Sequence, residues 1–234
     1  MHPQAEVFPR AFALLDRPGF DRRLASWKER FWLLTGIPHP GTPGFEARMH
    51  AFEEWILLED DPVGPGVPPV EEAARPGSLL APLVREGRFD APTEAAARAL
   101  LAAQPGLWVL MAPWRKDAWF RDLLSGIDLV LDEGPPVPGL APGQILQARL
   151  FALEGRTWAG LGRLVHPLAA TETIHRLTGR WNAAGRSRPE ILHLLAKLAW
   201  RADHYPRHAP EAFYELSHPL VKDLVSGDQA RFNV

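Results

Sequence analysis

No cysteine occurs in the 234 residues, which removes disulfides, thiolate zinc sites and cysteine nucleophiles together and is compatible with a reducing cytoplasm. Net charge is nearly absent too: 26 Lys and Arg stand against 28 Asp and Glu, so the whole chain has no electrostatic footprint for non-specific nucleic-acid binding. No apolar run approaches the ~20 residues that a helix needs to cross a bilayer, and the N-terminus has no signal-peptide pattern. Internal repeats are lacking at any useful period. Serines are few, and none lies in a nucleophile elbow.

Large apolar side chains are plentiful. Hydrophobic residues make up 46%, with nine Trp and eleven Phe, a composition that packs rather than remains disordered. The middle of the chain, Leu107 to His166, reads as β-structure between helical flanks. Five runs bounded by turn residues predict strands: 107–111, 118–124, 127–132, 145–153 and 156–165. Ser125-Gly126 predicts a tight turn, and Glu154-Gly155 the clearest hairpin. Leu146, Ala148, Leu150 and Ala152 alternate with Gln147 and Arg149, as in a sheet with one face in a core. Gly160 and Gly162 mark a bulge, bend or close approach in the last run. The expected fold is α+β: N-terminal helices over 1–104, a small five-stranded antiparallel barrel-like sheet of SH3-like or OB-like type over 105–166, and C-terminal helices over 167–234. A plain antiparallel meander is the alternative.

Helical spacing predicts segments from Ala5 to Asp16, Asp21 to Thr35, around Phe45 to Ile56, Ser78 to Glu86 and Asp90 to Gln104. A Pro/Gly-rich loop over 61–76 interrupts them. After the sheet, a helix is expected from about Ala170 to Thr178 or slightly beyond, and the capping box Ser187-Arg188-Pro189-Glu190 opens another that ends near Asp203. Short segments follow from Pro210 to Leu216 and Leu220 to Val225.

Four stretches in order, Phe52-Glu53-Glu54-Trp55-Ile56-Leu57-Leu58-Glu59-Asp60, Leu79-Leu80-Ala81-Pro82-Leu83, Trp119-Phe120-Arg121-Asp122-Leu123-Leu124-Ser125-Gly126 and Pro142-Gly143-Gln144-Ile145-Leu146-Gln147-Ala148-Arg149-Leu150, make about half of the chain resemble a family of bacterial proteins. Their activity is not established, and many of them also carry a zinc-binding SEC-C motif. The resemblance implies helices followed by a small β-unit in a cytoplasmic bacterial protein. That motif needs several cysteines, so its zinc role does not extend to this chain. The helices from Ala170 onward have no counterpart in the resemblance.

No residue pattern nominates a catalytic group, cofactor site or metal site. His193, His204 and His208 do not complete a ligand spacing, since Pro206 prevents a regular i,i+4 pair. Glu53, Glu54, Glu59, Asp60 and Asp61 read as a solvated acidic helix end. The leading expectation is therefore a non-enzymatic module that binds a protein partner or itself through an aromatic surface, with Trp108, Trp114, Trp119, Trp158, Arg121 and Arg149 as candidates. A nucleic-acid-binding face that adds Arg115, Lys116, Arg156 and Arg163 to these is the second reading. An enzyme whose site leaves no motif is the third.

Overall fold

The computed structural model describes residues 2–42, 44–59, 77–114, 117–131 and 137–224, with the backbone alone at 112–114. The expected loop over 61–76, Arg115, Lys116, the Trp114 side chain and Val225 lie outside those residues. The architecture is α+β, with helices before and after a curled antiparallel half-barrel. No described helix is long and apolar enough to cross a membrane.

Five helices precede the sheet: α1 (Pro3–Leu15), α2 (Phe20–Thr35), α3 (Phe45–Leu58), α4 (Leu80–Arg85) and α5 (Ala91–Ala102). Their starts follow local chemistry. The Asp90 carboxylate accepts the Thr93 backbone N–H at 3.0 Å to open α5, which satisfies one of the amides that a helix leaves unpaired. After the sheet come α6 (Thr171–Ala183) and α7 (Arg188–His204), then a 3-10 turn at Pro210–Tyr214. α6 runs on past Thr178 because Ile174, Leu177 and Trp181 keep one apolar stripe in the core. The capping box at α7 forms, with the Glu190 carboxylate accepting the Ser187 backbone N–H at 2.8 Å.

The strands are β1 (Pro105–Trp114), β2 (Asp117–Asp122), β3 (Asp128–Leu131), β4 (Ile145–Leu153), β5 (Arg156–Ala159) and β6 (Leu164–Val165). Their order is β3-β2-β1-β4-β5, with β6 also on β4. The fifth expected run is thus two strands, because the chain leaves β4 between Ala159 and Leu164 to meet α3. Gly160 and Gly162 permit that approach: a Cβ on Gly162 would lie 2.5 Å from the Ala51 Cα. The Glu154-Gly155 hairpin is a two-residue loop with Leu153 opposite Arg156 and φ of 53° and 73°. At Ser125-Gly126 the expected tight turn is instead a longer loop over 123–126. The buried Asp122 carboxylate accepts the Ser125 hydroxyl at 2.6 Å and the Leu107 N–H at 3.0 Å, which ends β2 before a two-residue turn could close.

β4 ties the molecule together. Its even-numbered residues Leu146, Ala148 and Leu150 join Leu110, Phe120, Leu131 and Ala159 in the core inside the curl. Its odd-numbered residues face the helices in succession. Ile145 enters a core made with α6, α7 and Tyr214, whereas Phe151 enters one made with α1 to α5. Gln147 and Arg149 fall between these two helical cores.

Candidate functional site

Between the two helical cores a cleft of about 280 Å³ opens against β4 and β6, bordered by α2, α3 and α7. Phe31, Trp32 and Trp55 form its aromatic wall, and Arg48, Glu54, Glu59, Arg149, Arg163, His193 and Asp203 bring polar groups to it. The aromatic rings are fixed by one another, with Phe31 5.0 Å from Trp32 and 5.4 Å from Trp55 between centroids. The wall is held against α7 through Gly36, where any Cβ would collide with the Trp200 ring. The Trp200 indole N–H donates to the Ile37 carbonyl at 2.5 Å.

Each acid at the cleft is engaged. Asp203 accepts from Arg48 at 3.0 Å, and Glu59 from Arg149 at 3.1 Å. Glu54 accepts from the Gln4 side-chain amide at 2.7 Å and the Gly162 backbone N–H at 2.8 Å. Far from being a solvated helix end, Glu54 is buried and locks α1, α3 and the turn before β6 together. Spacing within α3 could not reveal this, because both of the groups that satisfy Glu54 are distant in sequence.

The cations are less fully used. Arg149 donates to the Ala103 carbonyl and to Glu59, but its Nε–H is buried without an acceptor. Arg163 is half-buried at the cleft and forms no hydrogen bond or ion pair among the described residues. His193 packs its ring edge-on against Phe31, and burial pulls its pKa down to about 4, so it stands there neutral at pH 7.

Behind the cleft, His166 is wholly buried. Its Nδ1 lies 2.7 Å from the Tyr214 hydroxyl and its Nε2 3.3 Å from the Gln147 Oε1. Gln147 spends its own amide N–H on the Leu192 carbonyl at 3.2 Å. Its oxygen is therefore left to accept from His166 Nε2–H, and Tyr214 donates to Nδ1. Desolvation, aided by the Arg48 charge, lowers the His166 pKa to about 3.

The six residues expected to make a contact surface do not lie together. Trp119 is 38% exposed on the outer face of β2, with Arg121 beside it, 5.8 Å from the ring centroid. Trp108 is half-buried against the inner core and donates its indole N–H to the Ala148 carbonyl at 3.0 Å. Trp158 packs on the N-terminal helical core and the His2 ring. Arg149, only 2% exposed, points inward, because helices cover the side of β4 that alternation alone would give to solvent. Trp27, Trp32, Trp55 and Trp181 are core residues, so much of the tryptophan content serves packing. Arg149 and Arg163 both border the cleft, whereas Arg121 is held by Asp128 through two hydrogen bonds of 2.7 and 3.0 Å.

The histidines named as spacing candidates are likewise apart. His204 packs its ring at a tilt against Trp200, while His208 packs against Tyr205 and Phe213. Among the described residues no group of three or more His, Asp or Glu could hold a metal ion. Comparison with protein-family models, with curated proteins and with solved structures finds no match to this chain.

Proposed function

We propose that the protein binds a small molecule in the cleft between its two helical cores. One observation carries this reading: a cleft of about 280 Å³ stands open at the place where charged and aromatic side chains converge. The volume is just under the roughly 300–1,000 Å³ of ordinary ligand pockets, which fits a compact metabolite. The acids are tied up in structural pairs, so the arrangement supports binding ahead of acid–base chemistry.

Ligand-observed NMR with a fragment library tests the reading. Fragments should bind the full chain and be lost in Ala47→Phe, whose ring would fill the cleft from α3. No fragment binding, or binding indifferent to that substitution, sinks the proposal.

A second reading, association through the outer face of the sheet, rests on Met111, Trp119 and Val130. Trp119 lies directly opposite Val130, with Met111 at the β1 bulge next to it, and these side chains are 38 to 57% exposed. Neighbouring apolar side chains left in water on a sheet are a feature of contact surfaces. A second copy of the chain is the occupant we favour, because β3 is an edge strand and edges pair readily. Light scattering should give a dimer that Trp119→Ser converts to monomer; a wild-type monomer at high concentration excludes this reading.

A further inference from the structure

We infer that the ligand of the cleft is a small aromatic carboxylate. The inference rests on the proposal that the cleft binds a small molecule and adds the chemistry of what it takes. Formal charge at the cleft balances, three arginines against three acids, so net charge does not choose the ligand. Hydrogen-bond capacity does.

Asp203, Glu59 and Glu54 each already accept from a protein donor. On the donor side, the half-buried Arg163 guanidinium borders the cleft with no hydrogen bond or ion pair among the described residues. A guanidinium offers a planar fork matched to a carboxylate. Neutral His193, with no hydrogen bond of its own among the described residues, can supply one more donor. Phe31, Trp32 and Trp55 give the cleft one aromatic wall, with aliphatic side chains such as Leu164 and Leu192 completing the lining. Flat rings of this kind favour a planar apolar body, and the volume limits that body to about one ring and a short linker.

Isothermal titration of the full chain with three matched probes tests the assignment: 3-phenylpropionate, its neutral amide 3-phenylpropanamide, and phenethylamine. The carboxylate should bind at least tenfold tighter than either of the others. Arg163→Gln should weaken the carboxylate roughly tenfold to a hundredfold, the range for a charged hydrogen bond, while leaving the amide within about twofold. Because Arg163 forms no hydrogen bond or ion pair among the described residues, that variant should unfold within a few degrees of the wild-type temperature. Ala47→Phe should abolish binding of every probe. Equal binding of amide and carboxylate, or tighter binding of the amine, overturns the ligand class while the cleft reading stands, provided that Ala47→Phe removes it. Failure of all three probes overturns the class as well, and the fragment screen then decides the cleft reading separately.

Discussion

Glu154 occupies φ of 53° beside Gly155 at 73°, and this left-handed pair is the type I′ geometry that Asn-Gly adopts with less strain than Glu-Gly. Glu154→Asn should raise stability by about 0.5 kcal/mol, read as a higher urea midpoint at unchanged slope. Gly162 presents the opposite case. Its missing Cβ makes room for the Ala51 backbone, which cannot swing aside, so Gly162→Ala should cost roughly 2–3 kcal/mol. Gly160→Ala should cost less, because the Glu54 carboxylate that it meets is the end of a side chain. A midpoint for Gly160→Ala at or below that of Gly162→Ala would contradict the packing argument. His166 sets a pH dependence. Its pKa falls from 6.5 to about 3 on folding, so the unfolded chain takes up the proton first. Its contribution is complete above pH 6.5 and is lost as pH falls toward 3, at up to about 1.4 kcal/mol per pH unit. His193, depressed to about 4, acts in the same direction. Stability should therefore drop between pH 7 and pH 5, before most carboxylates titrate, and the slope should shrink in His166→Gln.

Among the elements, α7 has the most exacting attachment. Its first residue, Arg188, reaches Asp122 at 2.8 Å and the Pro105 carbonyl at 3.0 Å, so the start of the helix is bolted to the end of β2 and the start of β1. The Asp122 side chain is 2% exposed. Taking away the cation leaves a buried carboxylate supported only by neutral donors. Arg188→Met should destabilise by about 3 kcal/mol, measurable by chemical denaturation. The double variant Arg188→Met with Asp122→Asn should recover part of that loss, since no buried charge remains. At the other end of α7, the Arg48 pair with Asp203 joins α3 across the cleft, and partial exposure of the acid makes that pair weaker.

At the scale of the whole molecule, three cores meet along one strand. Because β4 contributes to all of them, loosening either helical half removes one wall of the other. Ile56→Ala in the N-terminal core and Leu195→Ala in the C-terminal core should each cost about 2–5 kcal/mol. Both should move one shared transition, whether unfolding is followed by tryptophan fluorescence or by far-UV circular dichroism. Two separated transitions would mean that the halves fold independently and that β4 does not couple them.

Local pattern by itself determined the elements. Apolar spacing at 3.6 residues located the helices, Asp90 and the Ser187-Glu190 box marked two starts, and Glu154-Gly155 defined the hairpin, because these depend on neighbours a few residues apart. The alternation of Leu146, Ala148 and Leu150 also gave the inner face of β4. The other face was decided only by tertiary structure. Whether Gln147 and Arg149 met water or helices depended on how α3 and α7, distant in sequence in opposite directions, close over β4. The same long-range closure buried Glu54 and His166, divided the tryptophans between core and surface, and left the cleft. Periodicity records which way a side chain points; what stands opposite it is fixed when distant segments pack.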